Sequence, residues 1–180
     1  MKSTNELRDE HRGIEVMLDI LDGAAEKIAA GDKADFGEMV YFLKIFADKC
    51  HHGKEEDFLF PALEEAGIPN EGGPIGVMLS EHVRGREHIV KMKEAVEAMK
   101  AGDKGGAALF VEHARGYTGL LRQHIQKEDG VLFVMAEQRL NAAKDEELFR
   151  EFAKLEEERI GPGKHDEFHA MLDRLAEGYR

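Results

Sequence analysis

The sequence predicts an all-α protein: an antiparallel up-down-up-down four-helix bundle with additional C-terminal helices. Three observations predict it. Apolar residues recur at helical spacing, strand-like alternation is absent, and glycine and proline cut the chain into helix-length pieces. A length of 180 residues suits one domain with a sizeable core. We expect residues 1–142 to form the bundle and residues 143–180 to form a helical extension packed on it within the same domain.

Ser3 followed by Glu6 reads as a capping box, and the first helix runs from there to about Gly31. The second spans about Asp35 to Gly67, with Pro61 expected to kink it or end it early. IPNEGGP (68–74) is a loop. A third helix follows Pro74 and stops near Gly102. Asp103 to Gly106 is the next loop, and a fourth helix runs to about Leu140. Short links make consecutive helices antiparallel neighbours. Lys144–Glu158 and Lys164–Tyr179 read as two shorter helices separated by IGPG (160–163). Phe149, Phe152, Leu155, Phe168, Met171, Leu172 and Leu175 need a surface to cover. They are expected to find it on the outside of the bundle or, in a homodimer, on a second subunit.

Composition narrows the function classes. Hydrophobic residues at 42% and charged residues at 34% describe a globular protein. No apolar run approaches roughly 18 residues and no basic-then-apolar leader is present, so a cytoplasmic protein with no membrane span is expected. A formal charge of −12 repels nucleic acid and anionic lipid. Cys50 is the one cysteine, which excludes an internal disulfide or a thiolate cluster. Nine histidines in so acidic a chain are the unusual feature, because imidazole and carboxylate together suit a transition metal.

The histidines form a pattern. HHGKEEDFLFP (51–61) and HIQKEDGVLFV (124–134) share H-x-x-K-E-x-x-x-L-F, which pairs His51 with His124 and Glu55 with Glu128. Within each pair the spacing is i, i+4, one helical turn, so both side chains leave the same face and can meet one ion. At about 100° per residue, Tyr117, Leu120, Leu121, Val131, Leu132 and Met135 form a stripe with His124 and Glu128 near its middle. A buried Glu128 needs a counter-charge, and a metal would supply it. On the second helix Glu55 is central to the stripe of Phe58, Leu59, Ala62 and Leu63. The same geometry does not separate His52 from His51. His82 lies within the third helix's stripe and His11 at the edge of the first's. Four imidazoles, two bridging carboxylates and an oxo or hydroxo bridge fill about ten of the twelve positions of two six-coordinate ions, leaving room for a small exogenous molecule.

These residues resemble the hemerythrin-like, HHE cation-binding proteins, whose pattern is H … HxxxE … H … HxxxE on a four-helix bundle. The pattern maps to His11, His51 with Glu55, His82, and His124 with Glu128, and the resemblance covers roughly residues 5–138. KEEDFLFP, GGPIGVMLSEH and HIQKEDGVLF are also similar to family phrases. The resemblance implies two iron ions bridged by the glutamates, oxo- or hydroxo-bridged, with O2, NO or peroxide as the small partner. It implies a role in sensing or stress response. The alternative is a di-iron enzyme, peroxidase-like or NO-reducing, or an iron-handling, iron–sulfur repair protein. Arg86 stands where oxygen-carrying members place a second histidine, which argues against reversible oxygen storage. Some relatives use the residue beside the first HxxxE histidine, which here is His52.

Other groups have blander readings. Tyr117 lies two turns before His124 and is a core tyrosine or a donor near the metals. His113 is expected to be a satisfied core residue. His165 and His169 have no carboxylate that sequence can place beside them, and are read as structural or solvated. Cys50 is expected to be a small buried residue rather than a redox handle. Glu56, Asp57, Glu64 and Glu65 are expected on a solvated face.

Overall fold

A computed structural model describes residues 1–29 and 36–179. Among the described residues the chain is helical, with no strand. Helix α1 is Lys2–Ala29. Helix α2 is one rod over 37–65: Gly37–Phe42, wide π turns over Leu43–His52 and Glu55–Leu59, then Phe60–Glu65. Helix α3 is Pro74–Lys100. Helix α4 runs over 105–139 as Gly105–Lys127, a π turn at Glu128–Leu132 and Phe133–Arg139. Helices α5 (Ala142–Arg159) and α6 (Lys164–Tyr179) complete the chain. The expected start of the second helix at Asp35 and the end of the first at Gly31 lie outside the described residues.

Two local expectations are corrected. Ser3 does not form a capping box with Glu6. The start of α1 is capped from α5, where Asp145 accepts from the Lys2 N–H at 2.9 Å, the Ser3 N–H at 3.0 Å and the Ser3 hydroxyl at 2.6 Å. Glu6 is drawn instead to Lys54, 2.6 Å away. Pro61 does not end α2: it stands near the start of the regular segment Phe60–Glu65, with only Phe60 between it and the π turn at Glu55–Leu59. A widened turn is one way a helix absorbs a residue that has no N–H to donate. The rod then closes at Gly67, whose φ of 87° suits glycine.

Helix α3 packs along α4, α1 packs on α4, α5 and α6, and α2 packs on α3 and α5. Phe152, Leu155, Phe168, Leu172 and Leu175 of the expected set are buried, with Leu148, so the tail covers this chain's own helices, whereas Met171 is partly buried and Phe149 is exposed. The apolar interior falls into two clusters. One holds Ile14, Leu18, Phe42, Phe46, Ile89, Phe110 and Leu121. The other holds Leu7, Leu59, Phe60, Met78, Leu132, Phe133 and Phe152. On the first three long helices the candidate ligands lie in sequence between the two clusters, and on α4 His124 and Glu128 flank Ile125 at the edge of the first cluster, ahead of Leu132 of the second. The polar site is therefore walled above and below by hydrocarbon.

Gly23 shows how closely α6 approaches α1: a Cβ there would lie 1.9 Å from the Tyr179 carbonyl oxygen. Helix propensity alone favours alanine by roughly 1 kcal/mol. Overpacking against a backbone atom costs about 1–3 kcal/mol and should win. Gly23→Ala is expected to lower the thermal midpoint followed by circular dichroism, and a rise would contradict this docking of α6.

Candidate metal centre

Both H-x-x-x-E motifs sit where the backbone widens. Glu55 opens the π turn of α2 and Glu128 opens that of α4. A π turn re-aims the side chains around it, and such turns are frequent at functional sites. His11 comes from α1 and His82 from α3. His11 stacks on Phe133 at 5.4 Å and His82 on Phe60 at 5.8 Å between ring centroids, so the second apolar cluster holds both rings in plane.

Two sets of donor atoms result. In the first, ligand atoms of His52, Glu55, His82 and His124 all lie within 4.8 Å of one another. In the second, those of His11, His51, Glu55 and Glu128 do so. Glu55 spans the sets, with Oε1 3.7 Å from His51 Nε2 and Oε2 3.5 Å from His82 Nε2. Glu128 spans them as well, with Oε2 3.3 Å from His11 Nε2 and 3.1 Å from His124 Nε2.

Four of the five imidazoles turn Nδ1 outward to hydrogen-bond a carboxylate. His11 meets Asp129 at 2.9 Å, His51 meets Glu10 at 2.8 Å, His82 meets Glu56 at 2.6 Å and His124 meets Glu81 at 3.0 Å. His52 is the exception: its Nδ1 lies 3.6 Å from Asp48 and makes no hydrogen bond. A carboxylate only accepts, so in the other rings Nδ1 donates and the Nε2 lone pair is left facing inward. This is the arrangement that orients metal-binding histidines and raises their basicity. For four of the five rings the carboxylate is the sequence neighbour of a site residue on a different helix. Glu10 precedes His11, Glu56 follows Glu55, Glu81 precedes His82 and Asp129 follows Glu128.

The centre is starved of partners. Nε2 of His11, His51 and His52 and both carboxylate oxygens of Glu55 and Glu128 are buried without a hydrogen bond. His82 Nε2 and His124 Nε2 face each other at 3.1 Å. Such a cluster costs free energy unless a cation satisfies it. Protons do part of this in the metal-free chain. Burial lowers His11 and His124, but Asp129 and Glu128 lift the first to about 9 and Glu128 and Glu81 raise the second. Against its own burial, Glu128 is held well below the carboxylate range by His124 and His11. Burial, with the Glu128 charge beside it, pushes Glu55 well above that range. Burial also takes His82 down to about 2 and lowers His51 and His52. Imidazoles and carboxylates in two overlapping sets are donors that suit a transition-metal cation, which would take the place of those protons.

All six residues that the motifs single out, His11, His51, Glu55, His82, His124 and Glu128, converge here, and His52 joins them, its ring stacked on His82 at 3.8 Å. Glu56 does not belong to the solvated face: it holds His82 and also accepts from Arg86 at 2.7 Å. Asp57, Glu64 and Glu65 do keep to the surface, paired with Arg159, Asn70 and Lys144. Arg86 binds Asp48 as well, at 2.7 Å, tying together the carboxylates of His52 and His82. Tyr117 is buried over Gly85 with no partner for its hydroxyl. His113 is part-buried rather than core and meets His88 at 3.1 Å between Nδ1 atoms. His165, expected to lack a carboxylate, is 3.6 Å from both Glu10 and Glu156. Cys50 is buried, and burial pushes its thiol far above the range where thiolate forms. The sequence reading gave no role to Glu10 and Glu81, each the immediate neighbour of a motif residue, nor to Lys54 of the motif itself; Asp129, which helical phase sets opposite the ligand stripe, in fact meets His11.

Residues 2–136 match the family described as the hemerythrin HHE cation binding domain. Uncharacterized proteins of Mycobacterium bovis and Mycobacterium tuberculosis are similar, each 23% identical over 175 residues that cover 96% of this chain and 67% of theirs. No solved structure matches the chain.

Because Glu55 is buried with neither oxygen bonded, it burdens the metal-free fold. Its raised folded pKa means that stability falls as pH climbs above the unfolded value of about 4.3. With metal chelated, Glu55→Gln is expected to unfold later than wild type at neutral pH, by about 1–3 kcal/mol in urea titration. The gain should shrink toward about pH 4, where the unfolded carboxyl is protonated too. A destabilised variant at neutral pH would show that Glu55 is satisfied without metal.

Proposed function

This chain belongs to the hemerythrin HHE cation-binding family, and on that premise we propose that it is a non-haem di-iron protein. It binds O2, NO or a related oxidant at an open metal position, in sensing or stress response. The observation that carries the reading is the pair of donor sets sharing Glu55, with Nε2 lone pairs and carboxylate oxygens buried and unpartnered. We read α1 to α4 as an up-down-up-down bundle, with residues 143–180 an extension within the same domain. No helix among the described residues is long and apolar enough to cross a membrane. A lone buried cysteine suits a reducing compartment, and we place the protein in the cytoplasm.

His52, His82 and His124 would hold one ion and His11 and His51 the other, with Glu55 and Glu128 between them. Bound iron would supply redox chemistry and an open coordination position. The chain's residues do the rest. The set with two imidazoles, His11 and His51, would leave room for a small molecule beside them. The outward carboxylates fix the tautomer and angle of the rings they hydrogen-bond. Phe60 and Phe133, stacked on His82 and His11, help the apolar clusters to exclude water and sharpen the electrostatics inside.

Protein expressed with iron is expected to carry about two irons per chain by elemental analysis, with an optical band that changes on exposure to air. Glu55→Ala and Glu128→Ala should lose most of the metal. His52→Ala should weaken the three-imidazole set and leave the other ion. Glu56→Ala, which frees His82, should weaken binding about 10–100-fold. Full retention by both Glu55→Ala and Glu128→Ala would overturn the assignment. Turnover of NO or peroxide with added reductant would make the protein an enzyme rather than a sensor.

A further inference from the structure

Of the five carboxylates that face the imidazoles, four reach the surface: Asp48, Glu56, Glu81 and Asp129 are 13–24% exposed. Glu10 is the exception, at 2%. Water cannot set its charge, so protein groups must. Its Oε2 accepts from His51 and its Oε1 accepts from the Lys54 ammonium at 2.6 Å. Lys54 is fully buried, lies over Phe152 and also binds Glu6 and Glu156. Three carboxylates therefore share one buried ammonium. His165 approaches the same cluster, 3.6 Å from Glu10 and from Glu156.

Glu156 belongs to α5 and His165 to α6, both beyond residues 2–136 that match the family. The two helices are already fastened by apolar packing, so neither residue is needed to dock them. Both line open clefts: His165, with Glu6 and Glu10, borders one of about 490 Å³. Contact with Glu10, though opposed by burial, raises His165 toward its charged form.

We propose that Glu156 and His165 of the C-terminal helices are positioning residues for His51, balancing the Lys54 charge on Glu10 and so tuning His51 as a metal ligand. The inference rests on the metal-binding reading above. Glu156 draws part of the Lys54 charge away from Glu10, which keeps Glu10 a strong acceptor and His51 a good donor to metal. His165 acts in the opposite sense, adding positive charge beside Glu10.

The test uses the full chain loaded with Co²⁺, measuring affinity by chelator competition and the visible ligand-field spectrum. Glu156→Gln is expected to weaken the ion on His11 and His51 by about tenfold and to shift its bands, while Glu156→Asp stays near wild type. His165→Gln is expected to bind no more weakly than wild type, with bands shifted the other way. Arg174→Ala is the control, since it removes a C-terminal helix's ion pair with Glu38 at 2.8 Å without touching the Glu10 cluster, and should change neither readout. Wild-type affinity and spectrum in Glu156→Gln overturn the proposal. So does equal weakening in His165→Gln and Arg174→Ala, because loosened helices would then be the cause. Wild-type chain that takes up neither Co²⁺ nor iron refutes the metal reading itself. Wild-type uptake with unmoved variants refutes only the role of the C-terminal helices.

Discussion

Two carboxylates with no solvent around them set the terms for the rest of this molecule. Glu55 and Glu128 are both fully buried, and the Glu128 charge raises the proton affinity of Glu55 because no water screens the field between them. A plain helical bundle gains nothing from such a pair, since an apolar side chain of similar volume at either position would be at least as stable. Their presence in an interior of Leu, Phe and Met leaves a buried negative charge without solvent, and the five imidazoles around them complete a donor set suited to a cation.

The surrounding structure answers that constraint in layers. The inner layer is imidazole and carboxylate. The next is a set of acceptors that fixes Nδ1 of every ring but His52, supplied crosswise so that neighbouring helices brace one another's ligands. Arg86 joins two of those acceptors, Asp48 and Glu56, and Lys54 joins three carboxylates on α1 and α5. Beyond them lie the apolar clusters that keep water out. Each layer makes the one inside it affordable, and each uses residues that would be costly to bury alone. The widened turns of α2 and α4 belong to the same design, since they occur where side chains must converge rather than follow the regular helical face.

Much of this was legible in the chain itself. The helical class, the approximate limits of the helices and the convergence of His11, His51, Glu55, His82, His124 and Glu128 follow from apolar periodicity and from the i, i+4 spacing, because both are local properties of a helix. What local spacing could not supply was the phase of α2. With regular turns His52 stays undecided between faces, whereas the π turns of residues 43–52 and 55–59 let His51 serve one donor set and His52 the other. Glu56 was misjudged for a related reason: beside its own helix's stripe it looks solvated, and only the approach of α3 gives it His82.

By itself, then, the sequence determined the class of fold, the chemistry of the donors and the pairs that share one turn, since each depends on residues within a few positions of one another. The tertiary structure decided which carboxylate steadies which imidazole, the entry of His52, and the link from Glu156 and His165 through Lys54 to Glu10. Those contacts join residues 41 to 118 positions apart for His51 with Glu10 and His11 with Asp129, and 102 apart for Lys54 with Glu156. No periodicity encodes such pairs. They arise only when helices that are separately amphipathic are brought side by side and the buried charges must find one another.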